Sequence, residues 1–222
     1  MTTVLRASAL QKRFGSTVAL SGVDFQAVEG ECVGLVGPNG GGRSTLLKIF
    51  ATLLRPTSGS LEIAGVDALR APYDVRHRVA YVGDDAAAGH GLSAREYLGF
   101  VASARRTRAT PAAIDDALAR AGVAVDVDVD MLSTGNRRCV SLAAVLLVKP
   151  PLLLLDDPFA GLDADARLAF SVWLSEVRDA GATVVTALND DRDVRAICHR
   201  VVRLAAQTSA HRVSAIPATA AV

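Results

Sequence analysis

Apolar positions along the chain switch between the spacing of strands and the spacing of helices. Val4–Leu10 and Val18–Phe25 read as strands joined by the short loop Lys12-Arg13-Phe14-Gly15-Ser16, an antiparallel β lobe at the N-terminus. Cys32–Val36 is a continuous apolar run after Glu29-Gly30-Glu31, as a buried strand requires. Ser44–Leu54 then carries apolar residues at helical spacing (Leu46, Leu47, Phe50, Leu53, Leu54) and is stopped by Arg55-Pro56. Leu61–Ile63 and Val79–Val82 read as further strands.

The middle of the chain changes character. Ser93-Ala94-Arg95-Glu96 is a capping-box pattern that predicts a helix to about Arg106. Thr110-Pro111 predicts another, with proline at the first helical position and Gly122 as its stop. A helical subdomain over about residues 90–148 therefore divides two α/β portions. Beyond it come a buried strand (Leu152–Leu155), a helix (about Ala164–Ala180), a strand (Thr183–Thr186), a short helix to Cys198 and a last strand, Val201–Leu204. Strands alternating with helices imply an α/β fold with a mostly parallel sheet. Residues 1–204 are expected to form one domain, and the Ala-, Ser- and Thr-rich stretch 205–222 a flexible tail.

Composition narrows the functional classes. A length of 222 residues suits one sizeable domain, and a half-hydrophobic composition is incompatible with global disorder. The formal net charge of +1 argues against a surface that traps nucleic acid or anionic lipid. Cys32, Cys139 and Cys198 lie far apart without metal-ligand spacing and read as core thiols of a reduced compartment. The N-terminus lacks the charged-then-apolar pattern of a signal segment. The longest apolar stretches, Val140–Val148 and Leu152–Leu155, are separated by Lys149-Pro150-Pro151 and are too short to span a bilayer. Any membrane role must then come through a partner. Asp126, Asp128 and Asp130 resemble the start of a calcium loop, but Met131 and Arg137 stand where that loop needs glycine and an acid.

Candidate chemistry begins after the first buried strand. Gly37-Pro38-Asn39-Gly40-Gly41-Gly42-Arg43-Ser44-Thr45 lies between it and a helix, so glycine amides and the helix N-terminus can curl around phosphate oxygens. Ser44 offers a hydroxyl to Mg²⁺, but Arg43 occupies the position of the usual lysine. Leu152–Leu155 ends in Asp156 and Asp157, at the sheet edge where ligands bind in open α/β folds. Asp156 is a candidate for the Mg²⁺ shell, and Asp157 stands where a base would meet an attacking water.

Two further segments complete the pattern. Leu132-Ser133-Thr134-Gly135-Asn136-Arg137-Arg138 precedes the acidic strand, and Pro158-Phe159-Ala160-Gly161-Leu162-Asp163 comes directly after it. In this order and spacing the chain resembles the ATP-binding-cassette (ABC) family from about Leu5 to Leu204. Pro56-Thr57-Ser58-Gly59-Ser60 and Ile63-Ala64-Gly65 also look like this family. The resemblance implies a P-loop NTPase fold, ATP and Mg²⁺ as ligands, and Phe14 stacking on adenine. It also implies that two cassettes sandwich nucleotide, each phosphate loop facing the other chain's signature segment, here Ser133, Thr134, Gly135 and Asn136. A membrane-spanning transporter subunit would be the other partner, with this chain peripheral on the cytoplasmic face of the membrane. The flavour is that of small bacterial exporters.

Four positions depart from the family pattern. Arg43 replaces lysine, Asp157 replaces glutamate, Asn189 falls on the switch histidine, and Asp84, a possible Mg²⁺ contact, replaces glutamine. Asp157 is shorter than glutamate by one methylene, ~1.5 Å, and misplacing a catalytic group by about 1 Å can cost ~100-fold. Asparagine cannot carry a proton at neutral pH. These unrelated changes converge on one γ-phosphate, so the expected subunit hydrolyses ATP weakly or not at all and pairs with a second cassette. Its Ser133 and Gly135 would serve that partner. A catalytically active homodimer is the alternative, and a soluble cassette acting on nucleic acid or ribosomes is an alternative of another class.

Overall fold

The computed structural model describes residues 2–83, 91–189, 191–204 and 214–217. They divide into two units, one of Met1–Tyr81, Pro151–Asp157 and Arg178–Val222, the other of Val82–Pro150 and Pro158–Val177.

In the first unit, β1 (Thr3–Phe14) and β2 (Thr17–Val28) pair antiparallel and are longer than the apolar pattern predicts. Their far ends, including Gln11, Arg13 and Phe14, are largely solvated and so lack a hydrophobic signature. β4 (Ser58–Ile63) joins β1, and β5 (Val66–Asp67) joins β4, giving the antiparallel order β2-β1-β4-β5.

The second sheet contains β3 (Cys32–Val36), β6 (Val79–Val82), β7 (Leu152–Asp156), β8 (Thr183–Ala187), β9 (Arg200–Arg203) and β10 (Ser214–Pro217), in the order β10-β9-β3-β8-β7-β6. β3 pairs parallel with both β8 and β9, and β7 parallel with β8. Every residue of β3, β7 and β8 is buried, which explains their unbroken apolar sequences. Within the stretch expected to be a tail, Ser214–Pro217 pairs antiparallel with β9; residues 205–213 and 218–222 lie outside the described residues.

Helix α1 (Arg43–Phe50) buries Leu46, Leu47, Ile49 and Phe50 in the core of this unit, with the Phe50 ring 5.0 Å from that of Phe25. Short helices α2 (Pro72–Arg76) and α7 (Asp191–Ile197) complete it.

The second unit is helical and takes in residues 158–177 as well as 82–150. It comprises α3 (Ala94–Ala104), α4 (Pro111–Arg120), a 3₁₀ turn (Val129–Met131), α5 (Thr134–Val148) and most of α6 (Ala164–Asp179). Leu98, Ile114, Leu118, Val129, Val140 and Ala143 form its core. The predicted capping box is in place: Ser93 Oγ accepts from the Glu96 amide at 3.3 Å, and Glu96 Oε2 accepts from the Ser93 amide at 2.8 Å. Among the described residues, no helix is long and apolar enough to cross a membrane.

Candidate functional site

Parallel pairing sets the level of the site. Leu35 of β3 lies opposite Ala187 of β8, and Ala187 lies opposite Asp156 of β7. Three neighbouring strands therefore end together, and the glycine-rich loop, Leu188-Asn189 and Asp157 stand just beyond their respective ends. This is the carboxyl edge at which open α/β sheets bind ligands.

The loop turns tightly, with the Gly41 amide donating to the Pro38 carbonyl at 2.9 Å. It enters α1 through Gly42, at φ 89°. A Cβ there would sit 2.5 Å from the Ala19 carbonyl oxygen, so both the left-handed conformation and the close approach demand glycine. No side chain caps α1, and no acid occupies its first turn. Its leading amides and positive dipole end are thus presented to an anion.

Ser44, the second residue of α1, donates its hydroxyl to Asp156 Oδ1 at 3.1 Å. The other carboxylate oxygen, Oδ2, accepts from the Tyr81 hydroxyl at 3.2 Å. Asp156 is only 4% exposed, and a buried carboxylate needs such donors. Sequence reasoning misses Tyr81; its signal is the edge strand β6 beside β7, which becomes legible only once strand order is known. A hydroxyl and a carboxylate are hard oxygen ligands of the kind Mg²⁺ prefers. Mg²⁺ characteristically takes one or two protein oxygens and fills its octahedron with phosphate and water. The Ser44–Asp156 pair fits that habit.

Arg43, Asn189 and Asp157 meet one another. Arg43 donates through Nη1 to the Leu188 carbonyl at 2.9 Å and through Nη2 to Asn189 Oδ1 at 2.6 Å, with a longer contact of 3.4 Å to Asn39 Oδ1. Asn189 in turn donates through Nδ2 to Asp157 Oδ2 at 2.6 Å. Asp157 sits just past β7 at φ 47°, a left-handed conformation that aspartate tolerates, and its amide donates to the Ala187 carbonyl at 3.0 Å. One hydrogen-bonded chain therefore runs from the phosphate loop through the end of β8 to the end of β7. Asp84, also a candidate from the sequence, lies outside the described residues. Phe14 is half exposed at the end of β1, with the Lys12 ammonium 4.9 Å from its ring centroid.

In the helical unit, Ser133 is the N-cap of α5, its Oγ accepting from the Asn136 amide at 3.2 Å. Ser133, Thr134 and Asn136 are all exposed. Gly135 packs against the Gly-Leu-Asp loop so closely that a Cβ would fall 2.4 Å from the Gly161 carbonyl oxygen. The segment is thus a helix N-terminus with an accessible hydroxyl, fixed from behind by backbone contact.

Known proteins resemble the chain in sequence and in fold. Residues 20–160 match the sequence family described as ABC transporter. The chain is 37% identical over 178 residues to a daunorubicin resistance ATP-binding protein of Streptomyces coeruleorubidus, covering 77% of this chain and 55% of that protein. It is also 37% identical over 185 residues to the cytochrome c biogenesis ATP-binding export protein of Cupriavidus pinatubonensis, covering 82% of each. The chain spans little more than half the length of the drug-resistance relatives it matches. A solved ATP binding subunit of an ABC transporter superposes with a TM-score of 0.83 at 24% identity, covering 94% of this chain and 90% of that one. A dimeric ATP-binding cassette in a post-hydrolysis state, bound to ADP and phosphate, gives 0.83 at 22% identity, with 96% and 98% covered. At those identities the two structures speak for the fold, while the sequence matches establish kinship: the chain belongs to the ABC transporter family and has the P-loop NTPase fold of its ATP-binding cassette.

Proposed function

We propose that the chain is the nucleotide-binding subunit of an ABC transporter, that its own phosphate loop holds Mg²⁺-ATP with little or no turnover, and that its signature segment completes the working site of a partner cassette. The observation that carries the reading is the chain Arg43–Asn189–Asp157. Asp157, standing where a base would be, already accepts a hydrogen bond from Asn189 at 2.6 Å. A base so occupied, shortened by ~1.5 Å and served by a side chain that cannot take up a proton, is poorly placed to activate water. The Ser44–Asp156 pair and the uncapped N-terminus of α1 remain suited to binding. Holding without hydrolysing is what this combination does best.

Pairing with a second cassette is supported by the exposed Ser133, Thr134 and Asn136, which make an anion-receptive helix end. The translocation path belongs to a membrane-spanning subunit, and this chain sits beneath it on the cytoplasmic face. Relatives named for drug resistance and for export support an exporter. The test is transport by the assembled complex. Ser133→Arg should abolish it by blocking the partner's site, whereas Asp157→Asn should leave it within about twofold, since a side chain outside the rate-limiting chemistry contributes little. Equal loss from both substitutions would overturn the asymmetric assignment.

A further inference from the structure

Two of the three cysteines, distant in the sequence, meet inside the first unit. Cys32 opens β3 and Cys198 follows α7, 166 residues later, and the Cys32 thiol donates to Cys198 Sγ at 3.9 Å. The parallel register that sets Val33 opposite Arg200 brings the two segments together. His199 ties them there, its amide donating to the Cys32 carbonyl at 2.8 Å and its Nδ1 accepting from the Cys32 amide at 2.9 Å. The Cys198 amide donates to the Val194 carbonyl at 3.0 Å and so closes the last turn of α7.

Gly34 leaves the room that the second sulfur occupies, since a Cβ there would fall 2.9 Å from Cys198 Sγ. Both sulfurs are therefore lodged against β3, on backbone that is already hydrogen-bonded on either side. A disulfide bond is ~2.05 Å long, so the two sulfurs must close by ~1.9 Å to form one. Rotation of the two side chains about χ1 supplies that movement and leaves the backbone pairing in place.

We infer that Cys32 and Cys198 form a modification site, a dithiol that hydrogen peroxide converts to a disulfide joining the end of α7 to the start of β3. Cys198, 8% exposed against 0% for Cys32, meets the oxidant first. Its sulfur attacks one peroxide oxygen, the O–O bond breaks, and the departing hydroxide takes the thiol proton and leaves as water. The Cys32 sulfur then attacks the resulting sulfenic acid, forming the S–S bond and expelling a second water. Two thiols are oxidised and one peroxide is reduced to two waters. The hydrogen bond with Cys32, together with burial, holds Cys198 above the usual thiol range. Reaction is accordingly slow and proceeds as the last turn of α7, a helix of only seven residues, opens. Once formed, the bond fixes the far end of the helix that follows Asn189.

The test uses the full chain, reduced and then held overnight with hydrogen peroxide, and reads thiol titration, intact mass and peptide mapping. Three free thiols should fall to one. The mass should drop by two hydrogens, the linked peptides should contain Cys32 and Cys198, and dithiothreitol should reverse both changes. In Cys32→Ser, dimedone should trap a sulfenic acid on Cys198 and no two-hydrogen loss should occur. The oxidised wild type should unfold about 5–15 °C above the reduced form, because a cross-link closing so long a loop constrains the unfolded chain. If Cys32→Ser fails to fold, the wild-type mass, mapping and thermal midpoint still decide. Survival of all three thiols, oxygen addition without a cross-link, or a bond through Cys139 would overturn the inference. So would an oxidised form that unfolds at or below the temperature of the reduced one.

Discussion

Asp156 combines burial with charge, so the hydroxyls around it are worth more than ordinary surface hydrogen bonds. Tyr81→Phe removes one of them from Oδ2 without changing the ring. It should cost about 1.5–3 kcal/mol in denaturant unfolding, the range for a hydrogen bond to a charged acceptor. An unchanged midpoint would mean that the hydroxyl does not support the carboxylate. Gly135 is constrained differently, because its missing Cβ makes room for a backbone oxygen that cannot rotate away. Gly135→Ala should destabilise the protein by about 1–3 kcal/mol, again read from unfolding. At this scale the sequence was informative about residue types and silent about their partners. Arg43, Asp157 and Asn189 stood out as departures from the family, yet they are far apart along the chain. Only the parallel alignment of β3, β8 and β7 makes them neighbours, and only the longer reach of arginine makes them a hydrogen-bonded series.

Elements with their own local signals were legible, and those that depend on distant strands were less so. The Ser93–Glu96 capping box, proline at the start of α4 and Gly122 after it are set within a few residues, and all three stand as read. The extensions of β1 and β2, by contrast, are held by pairing to each other and to β4, through residues too polar to advertise a strand. Ser93→Ala should cost about 1 kcal/mol, the usual value of an N-cap. The Ser93 backbone amide and hydroxyl also hold the Glu96 carboxyl below its ordinary pKa. A depressed carboxylate contributes its stability above its unfolded pKa and loses it as pH falls through the lower folded value. Stability should therefore decline through the acidic range by a small increment that Glu96→Gln removes. Identical acid dependence in the two proteins would contradict that contribution.

For the whole molecule, family membership was readable because the ordered motifs extend over nearly the entire chain, each tied to a strand end or a helix start. Transport substrate, direction and partners leave no comparable pattern along this sequence. The proposed consequence of the Arg43–Asn189–Asp157 chain is catalytic, so its most direct test is steady-state ATP hydrolysis by the purified chain at saturating Mg-ATP, after binding has been established by titration. Enzymes commonly turn over about 10 times per second, and displacement of a catalytic group by about 1 Å can cost ~100-fold. Bound nucleotide should therefore persist, with turnover at least about 100-fold below that common rate. Hydrolysis by this chain alone at an ordinary enzymatic rate would contradict the rewired, nucleotide-holding site.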